Sequence, residues 1–219
     1  MKKVLFIAPH PDDEALSCGT LLKHKKKGDK IFCVYVTMAS WKKNKVEAEK
    51  KMKCIKKVQK KLNFDKYFIG DFEPTIITSK NLNKVIEFIK KIVMSVKPDI
   101  LYIPNGSDIH TDHRLIYEAC IIFTKGFRYN SISEVLVYET LSETNFGIRD
   151  QKKLFYPNTF VDISKFLKQK IEICKIYSHE MKSHPFPRSM LSIKSNAILR
   201  GSYANCKYAE AFMALKILR

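Results

Sequence analysis

Short, continuous apolar runs along this chain alternate with longer segments in which apolar residues recur every three or four positions. The continuous runs predict buried strands, and the periodic segments predict amphipathic helices. Strands that are apolar throughout and separated by helices indicate a parallel sheet covered on both faces. The sequence therefore predicts an α/β fold with a Rossmann-like, mostly parallel sheet and helices on both faces. The predicted strands cover residues 4–8, 31–36, 65–69, 99–103 and 134–138.

The 219 residues are enough for one domain with a sizeable core. We expect a single domain, with the Rossmann-like part over about 1–140 and a small C-terminal appendage over about 141–219. One further helix and an irregular, proline-containing region are predicted in the appendage. The predicted helices cover residues 14–27 with Gly28 as the stop, 42–62, a segment capped by Ser79, a segment through Ile122, and 164–177.

The chain carries a strong positive charge. The formal net charge is +18, and nearly all of it comes from lysine. In the densest run, residues 42–61, apolar side chains recur at helical spacing (Ala48, Met52, Ile55, then Leu62), which predicts a helix with a solvated lysine face. Proteins that read nucleic acids usually rely on arginine, which is sparse here. We expect a lysine-rich surface without a specific nucleic-acid partner, and attraction of an anionic substrate stays open.

Cysteine usage and hydropathy bear on location. The six cysteines form no C-x-x-C pair and mostly lie in apolar segments, as reduced structural thiols do. No stretch approaches the roughly 18 apolar residues of a membrane span. The apolar run after Met1 is too short for a signal peptide. These features predict a cytoplasmic protein without a membrane span, and a homo-oligomer stays open.

Two polar clusters carry the candidate chemistry. The segment 10–14 (His-Pro-Asp-Asp-Glu) follows the first strand, where a dinucleotide-binding fold would have glycines. The segment 110–114 (His-Thr-Asp-His-Arg) lies just past the fourth strand. In open α/β sheets, ligands bind outside the carboxyl ends of the strands. We therefore expect the two loops to converge, and their histidines and carboxylates predict a metal site.

A hydrolytic zinc site has three protein ligands and an open position for water. His10, Asp13 and His113 supply two nitrogens and one oxygen, which suits Zn²⁺ and also Fe²⁺ or Co²⁺. Such a metal lowers the pKa of bound water to about 7. Asp12, next to a ligand in the chain, is predicted to act as general base and then as acid to the leaving amine.

The remaining polar residues of the two clusters receive supporting roles. His110 lies three residues before His113, and we expect it to donate a hydrogen bond to the oxyanion or to protonate the amine. Asp112 is expected to hold the His110 imidazole charged and oriented. Glu14 begins a predicted helix, where the helix dipole favours a carboxylate. Both a structural role and a role in supporting the ligands stay open for Glu14.

These motifs resemble those of the PIG-L/LmbE-like family of zinc deacetylases. Residues 9–14 (P-H-P-D-D-E) match its first signature and residues 110–114 its H-x-D-H-R signature. The resemblance implies the same three zinc ligands, Asp12 as the base, and His110, with Asp112 beside it, as the histidine that assists at the tetrahedral intermediate. It implies substrates of the N-acetylglucosamine type, including thiol-cofactor precursors, sugar conjugates and glycolipids. Similar segments continue to the C-terminus at residues 138–146, 157–164, 200–201 and 208–212.

One departure from the family pattern concerns substrate recognition. Residues 185–189 read P-F-P-R-S where the family often has P-H-P-R-S, with the histidine displaced to His184. Arg188 in this segment would either contact an anionic group of the substrate or form a surface salt bridge.

The sequence thus predicts a zinc-dependent hydrolase that removes the N-acetyl group from a small N-acetylglucosamine-type sugar or conjugate. Two other functional hypotheses stay open. The first is a metal-dependent amidohydrolase acting on a different acyl amide, because the pocket walls decide acyl size. The second is a basic polyanion-binding protein with a structural metal, although such a site would normally be closed by four protein ligands.

Overall fold

The computed structural model describes residues 1–39, 43–147 and 154–219, and these residues form a seven-stranded sheet. Helices pack on both of its faces. The strands are β1 Lys3–Ala8, β2 Lys30–Thr37, β3 Lys66–Phe72, β4 Ile100–Ile103, β5 Glu134–Tyr138, β6 Thr159–Asp162 and β7 Ala209–Ile217. The helices are α1 Asp13–Leu16, α2 Cys18–Lys26, α3 Lys45–Leu62, α4 Leu82–Val96, α5 Thr111–Ile121, α6 Leu167–Cys174 and α7 Met190–Tyr203. Short 3₁₀ turns cover Ile122–Thr124, Thr144–Phe146 and Lys175–Glu180.

The strand order is β3-β2-β1-β4-β5-β7-β6, and β1 to β5 run parallel. β7 pairs antiparallel with β5, and β6 pairs antiparallel with β7. This confirms the predicted α/β class with a mostly parallel sheet. The strand order reverses between β1 and β4, the two central strands that precede the polar clusters. Their carboxyl ends therefore border the crevice in which such folds bind ligands.

Alternate residues of β1 pack on opposite faces of the sheet. Phe6 stacks on Tyr138 with ring centroids 4.6 Å apart, beside α2 and α3. Leu5 and Ile7 lie on the opposite face with α4 and α5. All of these side chains are fully buried, which explains why β1 is apolar throughout.

The lysine-rich segment is the predicted amphipathic helix, α3. The Asn44 side chain caps it by accepting a hydrogen bond from the Glu47 backbone at 3.1 Å, and Asn63 ends it with φ 50°. Lys42, which the prediction included, lies outside the described residues. The buried side chains are Ala48, Cys54, Ile55, Val58 and Leu62, and the lysines of α3 are exposed or half-buried.

Two helices begin or divide differently from the prediction. The helix expected over 14–27 is divided at Ser17 into α1 and α2. α4 begins after Asn81 and not at a Ser79 cap, because the Asn81 side chain accepts from the Thr78 backbone at 2.7 Å and closes a turn just before the helix.

The C-terminal part contains more regular structure than the one helix predicted there. That helix is shorter, as α6, and continues into the 3₁₀ turn Lys175–Glu180. The sequence-based assignment missed α7, β6 and β7. The two strands extend the sheet beyond β5, so the C-terminal part shares the sheet of the N-terminal part. α7 buries only Ile193, Ala197 and Gly201, a weak hydrophobic signal.

A buried ion pair joins this C-terminal part to the start of the chain. Glu210 on β7 lies 2.6 Å from the Lys170 ammonium of α6, and both side chains are almost fully buried. Glu210 also accepts from the backbone of Gly19 at 3.0 Å and of Thr20 at 2.7 Å. Lys170 in turn donates to the carbonyl of Leu16, the last residue of α1. This network fixes α1, which carries residues of the first polar cluster.

No helix within the described residues combines the length and the apolar character needed to cross a membrane.

We predict that Glu210→Ala destabilises the protein by about 3–5 kcal/mol, because it leaves the buried Lys170 ammonium without its counter-charge. Chemical denaturation measures the change. The double variant Lys170→Met with Glu210→Met removes both charges and is expected to recover a large part of the loss. Glu118→Ala, at an exposed position of α5, serves as the control and should change stability by less than about 0.5 kcal/mol. Equal effects of Glu210→Ala and Glu118→Ala would contradict the prediction.

Candidate metal centre

The loop after β1 makes a tight turn that separates two neighbouring carboxyl groups. Asp12 has φ 140° and ψ −23°, a conformation that L-residues rarely adopt. Side chains of the same loop hold it: Asp13 Oδ2 accepts from the His10 backbone at 2.9 Å, and Glu14 Oε2 accepts from the Asp12 backbone at 3.1 Å. As a result, Asp13 contacts the histidines, whereas Asp12 contacts Arg188.

The second cluster lies at the start of α5. His110 precedes the helix in an extended conformation, and His113 lies in the first turn. β1 and β4 are parallel neighbours, with Val4 paired to Ile100, so the loops that follow them leave the same edge of the sheet. The predicted convergence of the two loops is observed.

Three potential ligand atoms meet around the Asp13 carboxylate. His10 Nδ1 lies 3.7 Å and His113 Nε2 lies 3.5 Å from Asp13 Oδ2, and the two imidazole centroids are 5.3 Å apart. The three side chains each offer one atom within 4.8 Å of the others. Asp13 and His113 are almost fully buried, and His10 is half-buried. The structure thus brings together the three residues predicted as metal ligands.

Each of these two histidines has a carboxylate on its outer ring nitrogen. His10 Nε2 lies 3.0 Å from Asp112 Oδ2, and His113 Nδ1 lies 2.8 Å from Asp108 Oδ2. A carboxylate there accepts the N–H and leaves the lone pair on the other nitrogen. In their neutral forms, His10 and His113 therefore have the lone pair on the nitrogen that faces Asp13, as metal ligation requires.

The two outer carboxylates are themselves fixed. Asp112 Oδ2 accepts from the Thr75 backbone at 2.8 Å. Asp108 Oδ1 accepts from Asn105 Nδ2 at 3.0 Å and from the Thr144 hydroxyl at 2.7 Å. Asp108 and Asp112 are completely buried, so these partners offset the cost of removing their charges from water.

The pKa shifts of the clustered residues indicate whether the site favours a bound cation. Burial disfavours the charged imidazole of His10, but hydrogen bonds to Asp112 and Asp13 outweigh it and raise its pKa to about 9. Burial also opposes charge on His113, yet Asp13 and Asp108 raise the pKa of His113. The same imidazolium charges overcome burial and hold the pKa of Asp13 well below its usual range. The site thus attracts positive charge, and a divalent cation bound by two neutral imidazoles would replace the two protons.

The predicted base, Asp12, lies beside the cluster with a separate partner. Arg188 Nη1 lies 2.5 Å from Asp12 Oδ2, and Arg188 Nη2 lies 3.8 Å from Glu180. Burial, followed by repulsion from Asp13, raises the pKa of Asp12 to about 6, although Arg188 opposes the shift. Arg188 therefore makes a salt bridge, but this salt bridge lies within the site and not on the surface as considered from the sequence, and its partner is the predicted base.

Glu14 stabilises the loop that contains Asp12. Its carboxylate is fully buried, accepts from the Tyr177 hydroxyl at 2.6 Å, and holds the backbone of Asp12. Burial raises the pKa of Glu14 to about 7, even though the Tyr177 hydrogen bond lowers it. Of the roles left open for Glu14, its contacts support the one of holding the turn.

His110 differs from the expectation in its partner and its charge. Asp112 Oδ2 lies 3.9 Å from His110 Nδ1 but 3.0 Å from His10 Nε2, so Asp112 orients His10. Burial and the neighbouring His10 and His113 lower the pKa of His110 to about 4, so its imidazole is neutral. His110 Nδ1 accepts from the Asp112 backbone at 3.2 Å, which places the ring proton on Nε2.

Sequence reasoning missed three residues that shape this site. Asp108 and Thr75 lie in polar loops without a recognised motif, and Thr144 reaches Asp108 from a loop after β5. The cluster of Asn105, Ser107 and Asp108 after β4 offered one signal, because small polar residues there are typical of ligand-binding loops. Thr144 lies in the segment 138–146 that resembles the family, but the resemblance gave it no role.

Solved structures share this fold at low sequence identity. The N,N'-diacetylchitobiose deacetylase from Pyrococcus horikoshii matches with a TM-score of 0.78 and 21% identity over 98% of this chain and 84% of its own. The zinc-inhibited form of the teicoplanin deacetylase Orf2 has a TM-score of 0.74 and 15% identity, covering 97% of both chains. GalB, the 4-carboxy-2-hydroxymuconate hydratase from Pseudomonas putida, has a TM-score of 0.73 and 14% identity over 100% and 98%. Because the matched fold includes a hydratase, fold alone does not define the reaction.

The family comparison is more specific. The model of the PIG-L family, described as GlcNAc-PI de-N-acetylase, matches residues 5–123. This match covers more than half of the chain and includes both polar clusters with their turn and helix starts. The chain therefore belongs to the PIG-L (GlcNAc-PI de-N-acetylase) family.

Proposed function

We propose that the protein is a metal-dependent deacetylase that hydrolyses the N-acetyl group of an N-acetylglucosamine-type sugar or sugar conjugate. The observation that carries this proposal is the convergence of His10 Nδ1, His113 Nε2 and Asp13 Oδ2, beside a carboxylate, Asp12, that has a different partner. The description of the family as a de-N-acetylase supports the reaction type. The similarity to a chitobiose deacetylase supports a sugar substrate.

The donor set fits a divalent cation, and His10, Asp13 and His113 would hold it. Two imidazole nitrogens and one carboxylate oxygen suit Zn²⁺, and equally Fe²⁺ or Co²⁺. The bound cation would supply a positive charge that lowers the pKa of a water molecule and polarises the acyl oxygen. We propose zinc as the metal. Because one similar deacetylase is described as zinc-inhibited, the metals are compared directly in the test below.

Asp12 would take the proton of the attacking water and pass it to the leaving amine. Its carboxylate is near the ligands but is not turned toward the histidine nitrogens, because the backbone at Asp12 has φ 140°. Arg188 holds one carboxylate oxygen, so the other oxygen remains to accept a proton. A pKa raised to about 6 suits a group that both accepts and donates a proton near neutral pH.

His110 would donate its Nε2 proton to the acyl oxygen as negative charge develops there. Its ring centroid lies 4.5 Å from that of His10, and its side chain is partly exposed. The neutral tautomer set by the Asp112 backbone provides this donor without a change of charge. Donors fixed in place before reaction stabilise such charge most effectively.

Removal of metal tests the first step of this proposal. We expect that treatment with a chelator abolishes acetate release from N-acetylglucosamine substrates, and that one of Zn²⁺, Fe²⁺ or Co²⁺ restores it. His113→Ala should lose the bound metal, measured by elemental analysis, whereas the exposed His184→Ala should retain it. Full activity in protein shown to be free of metal would disprove metal dependence.

Asp12→Asn tests the base. We expect metal content to be unchanged and kcat to fall by about 10²–10⁴-fold, the usual contribution of a positioned acid or base. Glu180→Gln is the matched control, because Glu180 also contacts Arg188 but does not belong to the group of His10, Asp13 and His113. Its kcat should stay close to that of the wild type. An Asp12→Asn variant with wild-type kcat would remove Asp12 from the mechanism.

A further inference from the structure

A groove of about 620 Å³ lies beside the candidate metal centre, and the mechanism above makes no use of it. One wall is the 3₁₀ turn Thr144–Phe146, and the other is the proline-containing segment 184–187. The floor is one face of α7, formed by Leu191, Ser195 and Leu199 at intervals of four residues.

One wall of this groove is connected to the reaction centre by a hydrogen bond, and the other by the adjacent residue of the chain. On one side, the Thr144 hydroxyl donates to Asp108, which holds His113. On the other side, Pro187 directly precedes Arg188, which binds Asp12. The groove therefore extends over one face of α7, between two walls that adjoin residues holding the predicted base and a predicted ligand.

The lining of the groove contrasts with the rest of the surface. Among the described residues that line it, none is an aspartate, glutamate, lysine or arginine, although the chain carries a net charge of +18. Phe146 and Leu191 are each 56% exposed, and Leu199 is 47% exposed. Apolar side chains that remain exposed beside a reaction centre indicate a surface that a ligand covers.

Short polar side chains complete the lining. Asn145 and Ser195 border the groove, and neither makes a side-chain hydrogen bond within residues 1–39, 43–147 and 154–219. They offer partners for hydroxyl or ether oxygens, while the ring of Phe146 offers a flat apolar surface.

We propose that this groove binds the part of the substrate that lies beyond the N-acetylated sugar, and that this part is an uncharged group with an apolar face. A second neutral sugar ring and an aryl aglycone share this chemistry. The inference rests on the proposed deacetylase function and narrows its substrate to uncharged glycosides of N-acetylglucosamine. It runs against a preference for anionic conjugates, which the net charge alone would suggest, because no lysine or arginine lines the groove within the described residues.

A comparison of four substrates tests the proposal with the metal-loaded protein. The substrates are N-acetylglucosamine, N,N'-diacetylchitobiose, a phenyl N-acetylglucosaminide and N-acetylglucosamine 1-phosphate, and kcat/KM for acetate release is measured for each. We expect one or both uncharged glycosides to exceed the free sugar by about tenfold or more, the effect of covering one apolar side chain. The phosphate should bring no such gain. If only one glycoside gains, that result identifies which aglycone the groove accepts.

Two results would overturn the inference. Equal kcat/KM for the free sugar and both glycosides would show that the groove is not used, while leaving the deacetylase function intact. A gain confined to the phosphate would show that an anionic group is recognised. Acetate release from none of the four substrates would overturn the proposed function and this inference together.

Neighbouring leucine and isoleucine residues on α7 provide a matched pair of variants. Leu199 and Ile198 are both 47% exposed, but only Leu199 lines the groove. We expect Leu199→Glu to reduce the glycoside gain about tenfold and Ile198→Glu to preserve it, with kcat/KM for the free sugar unchanged in both. Leu191→Ser is a milder groove variant in case Leu199→Glu fails to fold. Equal effects of the groove and control variants would contradict the proposal.

Discussion

An imidazole presents a lone pair to a metal only when its proton is on the other ring nitrogen, and this constraint governs the arrangement of the site. Asp112 accepts from His10 Nε2 and Asp108 accepts from His113 Nδ1, so the inner nitrogens face Asp13. Both outer carboxylates are fully buried and need their own donors. The backbone of Thr75 and the side chains of Asn105 and Thr144 provide them, and in this way two further loops, those of Thr75 and Thr144, are bound to the site.

A second constraint separates the predicted base from the predicted ligand. The carboxylates of two neighbouring residues could otherwise compete for the same partners. The turn at Asp12 directs its carboxylate to Arg188 and that of Asp13 to the histidines. Glu14 stabilises the turn, and Tyr177 stabilises Glu14. Arg188 and Tyr177 belong to the C-terminal part of the chain. The reaction centre therefore depends on residues far from its motifs, and the Lys170–Glu210 pair holds the two parts together.

These dependencies explain how far the sequence could predict the structure. The five parallel strands and the meeting of two loops follow from local patterns, because buried strands are apolar and parallel strands align their carboxyl ends. The sequence did not predict β7, although Ala209 to Phe212 are buried. Its small residues alternate with a charged residue, Glu210, and a charged residue is unexpected in a buried strand unless a buried partner such as Lys170 compensates it. The pairing of Asp112 with His10 joins residues 102 positions apart, so the proximity of Asp112 to His110 in the chain could not reveal this nearer partner.

The charge of the whole chain and the charge of the site have opposite signs. The lysines lie largely on solvated surfaces such as α3, whereas the loops gather four carboxylates at the reaction centre: Asp12, Asp13, Asp108 and Asp112. Buried charges of one sign are costly unless positive groups compensate them. Arg188 compensates Asp12, and protons on His10 and His113 compensate part of the rest, as their raised pKa values indicate. A divalent cation would do the same with both imidazoles neutral, so the charge balance of the folded site, and not the composition of the chain, supports the proposed metal.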